Sequence, residues 1–411
     1  MNNYKEMSKE ELTAAYEKIK QKNLKLDMSR GKPGGSQLDL VMDLLDIVNS
    51  RSDLKSEAGV DCRNYMLVDG LPEAKKLFSE IFECEPDETI IGGNASLNMM
   101  FDVVSQGMTH GFGAGAWFKQ DKIKFLCPVP GYDRHFGICE HFGIEMINVD
   151  MTENGPDMDS VEDLVKDPSV KGMWCVPKYS NPQGITYSDE TVRRIAGLKP
   201  AASDFRVLWD NAYAVHDLTD ETDRLLPLLA ECKAAGNPDI AIMFTSTSKI
   251  TFPGAGVGAL AASAYNIGLI KNRLTFQTIG PDKINQLRHV RKFSNLADIN
   301  AHMKTFIPVL KPRFDAVLTA LQTQLSGLAE WTVPRGGYFI SVDVADGTAK
   351  RVVQLCKEAG VVLTPAGATY PYGKDPRDRN IRIAPTLPPV SELVEAMDLF
   401  CVAVKLAAAE K

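Results

Sequence analysis

With 411 residues, 44% of them hydrophobic and 24% charged, the chain is long enough for two or three folding units and too apolar for a disordered or fibrous protein. A formal net charge of −7 and a pI near 5.5 argue against a phosphate backbone as the main partner, so small-molecule substrates are favoured over nucleic acid. Eight cysteines without a C-x-x-C pair fit neither a zinc site nor a disulfide framework and point to buried thiols in a reducing compartment, with no metal expected.

Residues 1–32 contain no hydrophobic core of signal-peptide length, and no later segment nears ~18 uninterrupted apolar residues. The expectation is a cytoplasmic protein with no membrane span. Ser8 and Glu11 set a capping-box pattern ahead of Leu12, Ala15, Tyr16 and Ile19, whose spacing predicts one face of an amphipathic helix. The stretch Asp27–Gly35, rich in Gly, Pro and charge, reads as a loop. From about residue 88, short apolar runs (Lys124–Cys127, Met173–Val176, Val207–Trp209, Ile240–Phe244) alternate with helix-like segments. This rhythm predicts βα units, a mainly parallel sheet covered by helices on both faces, and ligands just past the strand ends. The basic cluster Arg288, His289, Arg291 and Lys292 reads as a solvated helix surface. After residue 295 the pattern becomes a long helix, strand-like Gly337–Val344, Val361–Leu363 and Asn380–Ile383, and a final helix through Leu406. That mixture predicts a smaller α+β domain joined by the N-terminal segment: residues 1–45 and 296–411 in the small domain, 46–295 in the large one.

The residues able to carry chemistry fall after the apolar runs. Gly92-Gly93-Asn94-Ala95-Ser96 follows Ile90–Ile91 and reads either as a plain helix start or as a helix N-terminus whose N–H groups bind a phosphate. Asn181-Pro182-Gln183-Gly184 is a turn, or a turn that presents the Asn181 amide to a ring oxygen. Asp210-Asn211-Ala212-Tyr213 offers an acid that either caps a helix or keeps a pyridinium nitrogen protonated, with a phenol three residues on. Lys249, in Thr245-Ser246-Thr247-Ser248-Lys249, is either an ordinary surface lysine or a Schiff-base nucleophile whose amine is freed by partial burial. Arg382 is an outward strand residue or a guanidinium that grips a carboxylate through two parallel hydrogen bonds. Gly111, Gly113 and Gly115 do not form a dinucleotide fingerprint, because they follow a helical segment and precede a strand.

Taken together, these pieces occur in an order that resembles the class I aminotransferases of the aspartate aminotransferase fold, from about Arg30 to the last helix. Gly31-Lys32-Pro33 is similar to the family's glycine loop near the substrate carboxylate. Tyr65 with Gly70 is like the tyrosine that reaches the cofactor phosphate of the neighbouring subunit, and Asn94-Ala95-Ser96 is like the phosphate turn. Tyr132, in Pro130-Gly131-Tyr132, matches the aromatic that stacks on the cofactor ring, and Asn181, Asp210, Tyr213, Ser246, Ser248 and Lys249 follow. Gly336-Gly337-Tyr338-Phe339, Pro365 with Gly367, and Arg382 complete the pattern. The segments Ser246–Gly258 and Lys178–Gly184 resemble most the divergent subgroup called type Ic. One departure stands out: where the family has an arginine for the cofactor phosphate, this chain has Gly254-Ala255-Gly256-Val257-Gly258.

The resemblance implies fold type I with a seven-stranded, mainly parallel sheet, and pyridoxal 5′-phosphate held on Lys249 as a Schiff base. It further implies ping-pong amino transfer, most readily from aspartate to 2-oxoglutarate, in a homodimer with shared active sites. Asp210 and Tyr213 would act with Lys249 in catalysis, and Gly31, Lys32, Asn181 and Arg382 would bind substrate. A distal substrate carboxylate needs a further cation, for which Arg30, Lys32, Arg134 and Lys283 are candidates. An aromatic or alanine aminotransferase, a lyase on the same scaffold, and a non-catalytic sensor module are the alternatives.

Overall fold

The computed structural model describes residues 7–411; expectations that reach into residues 1–6 lie outside the described residues. The first helix, Lys9–Lys20, begins where its capping box places it. Glu11 N donates to Ser8 Oγ at 3.3 Å and Ser8 N donates to the Glu11 carboxylate at 2.7 Å. Its buried face, Leu12, Tyr16 and Ile19, packs on the final helix, Val390–Glu410. The adjoining two-residue strand Leu26–Asp27 pairs in parallel with Val361–Val362, so the N-terminal segment is zipped to residues near the other end of the chain.

The central sheet runs, edge to edge, through Thr89–Ile91, Gly258–Ala262, Ala241–Ser246, Arg206–Asp210, Val170–Cys175, Lys124–Val129 and Glu145–Thr152. A two-residue antiparallel strand, Gly155–Pro156, extends the last edge beyond the seven expected strands. Five neighbouring strands are parallel and Gly258–Ala262 runs against both its neighbours. Alternation along these strands separates two cores. Val207, Trp209, Ala241 and Met243 join one cluster, while Leu208, Ile242 and Phe244 join the cluster on the opposite face. Because helices cover both faces, the strands read as continuous apolar runs rather than as alternating apolar and polar residues.

A three-stranded antiparallel sheet, in the order Glu330–Trp331, Ile340–Asp343, Asn380–Ile383, lies in the C-terminal part with the helices Ile307–Leu325 and Val390–Glu410. The strand expected over Gly337–Val344 is shorter, because Gly337 adopts φ of 80° and packs its backbone against Tyr179. The basic cluster near residue 290 also needs correction. It lies on the helix Lys283–Lys292, but His289 faces inward and is buried beneath the turn that carries Lys249. Among the described residues no helix is long and apolar enough to cross a membrane, and the eight cysteines are free thiols.

Candidate active site

Parallel strands that end side by side present their last residues to one crevice. Asp210 and Ser246 are the terminal residues of adjacent strands, and Tyr132 and Asn181 follow the ends of two more. A cleft of about 310 Å³ opens there, large enough for a cofactor-sized ring. It is lined by Gly31, Lys32, Ala95, Ser96, Tyr132 and Asn181, and by Asp210, Tyr213, Ser246, Ser248, Lys249 and Arg382. Asn94 is one step behind, its carbonyl accepting from Ser248 Oγ at 3.3 Å.

Lys249 closes a short 3₁₀ turn, Thr247–Lys249, directly after the strand Ala241–Ser246. Its amine lies 4.6 Å over the Tyr213 ring and 5.5 Å over the Tyr338 ring. Burial lowers its pKa, with Tyr132 and Asp210 opposing; the net effect favours the neutral, nucleophilic amine. Tyr338 is fixed in turn by Gln37, whose Nε2 donates to the phenol oxygen at 2.5 Å and to the Lys249 carbonyl at 3.4 Å. Burial also raises the phenol of Tyr213 and pushes that of Tyr132 up to about 12, so both stay protonated donors near neutral pH.

Asp210 is buried and only one of its oxygens is satisfied internally. Oδ2 accepts from His135 Nε2 at 3.0 Å, and the imidazole stacks on Trp174 with centroids 4.2 Å apart and planes 7° from parallel. Oδ1 has no protein partner. A buried carboxylate oxygen without a donor is costly, and a protonated ring nitrogen supplies the missing donor. His135 was not singled out from the sequence. It lies three residues after Tyr132, in the first turn of the helix Asp133–His141, and that spacing is the only sequence signal for it.

Arg382 is buried in the strand Asn380–Ile383 and does not face outward. Its Nη1 donates to Asp133 Oδ1 at 3.0 Å and Asn181 Oδ1 at 3.1 Å, and its Nε to Thr364 Oγ1 at 3.3 Å. The guanidinium lies 4.8 Å over the Phe339 ring. Because Asn181 spends its oxygen on Arg382, the amide group it has left to offer is a donor.

The helix Ser96–Thr109 starts at Ala95 with no side-chain cap, which leaves its first N–H groups available to an anion. Ser246 Oγ donates to Ser248 Oγ at 3.1 Å beside it. The glycine stretch that replaces the family's arginine has a steric reason. A Cβ on Gly256 would stand 2.9 Å from the Asn94 carbonyl oxygen, and one on Gly258 2.9 Å from Ala95 backbone, while Val257 is buried in the core. At residues 256–258 the loop is packed flat on Asn94 and Ala95 and has no space for a long side chain. The uncapped helix start, two serines, the unsatisfied Asp210 oxygen and the lysine amine together fit a phosphorylated pyridine aldehyde.

Three residues named from the sequence do not reach the cleft. Tyr65 is 70% exposed, on the surface away from the cleft lining. Arg134 is exposed outside the cleft wall, and Lys283 is buried with its amine donating to the Met66 carbonyl at 2.9 Å.

The family model described as aspartate amino-transferase matches residues 3–411. An aspartate aminotransferase from Corynebacterium glutamicum is 47% identical over 405 residues, covering 98% of this chain and 94% of the relative. A crystal structure of an aspartate transaminase from the same species superposes with a TM-score of 0.95 at 47% identity, covering 98% of this chain and 96% of that one. The α-aminoadipate aminotransferase of Thermus thermophilus, solved with N-(5′-phosphopyridoxyl)-L-leucine, shares the fold with a TM-score of 0.77 at 18% identity, covering 96% of each chain.

Proposed function

The chain belongs to the aspartate aminotransferase family, pyridoxal-phosphate enzymes of fold type I, and we propose that it moves the amino group of L-aspartate to 2-oxoglutarate by a ping-pong mechanism. The observation that carries this reading is the meeting of Lys249, Asp210 and Arg382 on one cleft from strand ends far apart in sequence. Pyridoxal phosphate, when bound, supplies an aldehyde for amines and a ring that withdraws electrons from the amino acid's α-carbon. The Lys249 amine would hold that aldehyde, and its Nζ, 4.6 Å over the Tyr213 ring, is the base that would take up and return the substrate's α-proton.

Asp210 Oδ1 would hold the ring nitrogen protonated, while His135 fixes the other carboxylate oxygen and so the direction of the first. Tyr213 and Asn181 would donate toward its ring oxygen, Tyr132 would supply a flat face, and Asn94, Ala95, Ser96, Ser246 and Ser248 would hold its phosphate. Arg382 pairs with the α-carboxylate, in competition with Asp133, and Gly31 with Lys32 borders the same group. One cleft serving both half-reactions is what requires the first product to leave before the second substrate enters.

The same proposal includes a homodimer. Tyr65 and Met66 are each 70% exposed, and the Met66 N–H to Ile279 carbonyl bond, 3.1 Å, brings them beside Ile279, 60% exposed, as apolar surface that a second copy could cover. It also divides the chain at about residues 45 and 295, supported by the pairing of Leu26–Asp27 with Val361–Val362, and places the enzyme in the cytoplasm, supported by its free thiols. The test is the absorbance spectrum of the purified enzyme before and after L-aspartate, beside Lys249→Ala. A Schiff-base band confined to the wild type that converts to the pyridoxamine form supports the reading. A band that ignores aspartate rejects the substrate, and no band with added cofactor rejects the site.

A further inference from the structure

Lys249 Nζ is flanked by aromatic rings brought together from distant parts of the chain. It lies 4.6 Å from the Tyr213 centroid and 5.5 Å from that of Tyr338, and the two phenol rings stack with centroids 6.0 Å apart and planes 27° from parallel. His216 backs both rings, edge-on to Tyr213 at 5.6 Å and 88° and to Tyr338 at 5.8 Å and 70°. Tyr213 owes its place to the strand end just before it, whereas Tyr338 comes from the C-terminal part of the chain and needs an anchor of its own.

Two sets of contacts supply that anchor. Gly336 and Gly337 let the segment close onto His216: a Cβ on Gly336 would stand 2.5 Å from the His216 carbonyl oxygen, and Gly337 N donates to that oxygen at 2.9 Å. The N-terminal part of the chain packs on the other side, where a Cβ on Gly31 would come within 2.7 Å of Phe339 Cζ. From the same part, Gln37 Nε2 donates to the Tyr338 phenol oxygen and, at 3.4 Å, to the carbonyl of Lys249 itself. One amide thus ties the ring to the backbone of the lysine whose amine lies over it.

Carrying a proton, this amine is a buried cation, and burial works against it. Tyr132 and Asp210 oppose that effect, and Arg382 adds to it. A desolvated ring face favours the ammonium over the neutral amine by roughly tenfold. Burial keeps the Tyr213 and Tyr338 phenols protonated and pushes His216 down to about 3, so near neutral pH these three rings present π faces and edges without a net charge. Lys178, the cation that faces His216, is paired with Asp217 at 3.1 Å.

We propose that Tyr338, anchored by Gln37 and backed by His216, is a positioning residue for Lys249: its ring face holds Nζ while the amine is free, and steadies the proton that Nζ carries between taking it and returning it. This role rests on the reading of Lys249 as the base, and names what keeps that base in place.

The test compares the wild-type holoenzyme with Tyr338→Leu, Tyr338→Met, Tyr338→Phe, Gln37→Leu and the Tyr338→Phe, Gln37→Leu pair, reading the pH midpoint of the Schiff-base band together with kcat and KM for L-aspartate. Without the ring face, the Leu and Met variants should lower the midpoint by about one pH unit and kcat by roughly tenfold, with KM within about twofold. Tyr338→Phe keeps the face and should hold the midpoint within about 0.3 units. Gln37→Leu and Tyr338→Phe break the same bond, so the pair should be no slower than the slower single variant. Met fills the ring's volume with a flexible side chain and gives the same reading if the Leu variant does not fold. An unmoved midpoint in the variants without a ring, an equal shift in Tyr338→Phe, or a loss confined to KM overturns the role of the ring, and additive losses in the pair overturn the anchor. Wild type without a Schiff-base band rejects the cofactor reading itself, before any variant is compared.

Discussion

His289 gives the most quantitative prediction, because it is a buried imidazole holding up the turn that presents Lys249. Its Nδ1 donates to the Asn285 carbonyl at 2.7 Å, and its Nε2 accepts from Thr251 Oγ1 at 2.9 Å with Thr247 Oγ1 at 3.2 Å. Burial is the main cause that lowers its pKa from 6.5 to about 4, opposed by the Asn285 bond. An unfolded chain binds this proton below about pH 6.5 and the folded one only near 4, so the contribution to stability is fully present above 6.5 and is lost as pH falls toward 4. At about 1.36 kcal/mol per tenfold, the full loss is roughly 3 kcal/mol, of which about 2 kcal/mol is gone by pH 5. The perturbation is His289→Gln, which keeps polar contacts but does not titrate. The assay is urea unfolding of both proteins at pH 7.5 and 5.0, and the expected result is that wild type loses about 2 kcal/mol more than the variant on acidification. Buried His216, whose pKa is lowered to about 3, is present in both and cancels. Equal acid sensitivity, or an imidazole NMR signal of His289 titrating near 6.5, would refute the reasoning.

Asp210→Asn removes the charge proposed to keep the ring nitrogen protonated, and the half-reaction with aspartate, followed by stopped-flow absorbance, should slow by at least about a hundredfold. His135→Phe should keep the stack on Trp174 yet release Asp210 Oδ2, slowing the same step by roughly tenfold, since one hydrogen bond to a charged group is lost. For Arg382→Lys, steady-state kinetics should show kcat/KM for every amino acid reduced by about ten- to a hundredfold, because an ammonium cannot reproduce the planar donor pair. Tyr65→Phe should weaken cofactor binding by roughly tenfold in equilibrium dialysis if the tyrosine serves the partner's phosphate; unchanged affinity would remove it from the site.

The sequence was informative wherever a signal is local. Ser8 and Glu11 announce a helix because both capping bonds close within three residues, and Val207–Trp209 announces a buried strand because a sheet covered on both faces accepts only apolar neighbours. Lys249, Asp210 and Arg382 were legible because each stands just beyond or within such a run, in an order that resembles one family. The sign of the change around Gly256 was legible too, since an absent arginine can be read directly; the reason for it, the loop lying flat on Asn94 and Ala95, could not.

What the tertiary structure alone decided are the bonds between distant strand ends. His135 meets Asp210 across 75 residues, Arg382 meets Asp133 across 249, and Gln37 meets Tyr338 across 301. Hydrophobic periodicity records which face of an element is buried but carries no information about which other element's end will lie beside it. His289 shows the same limit in reverse: a basic run on a helix reads as surface until the packing partner of its inner face is known. The sequence by itself determined the chemical groups, the family likeness and the βα rhythm; the crossing of strands in the sheet and the return of the N-terminal segment to Phe339 decided which of those groups touch, because contact is set by topology and close packing rather than by spacing along the chain.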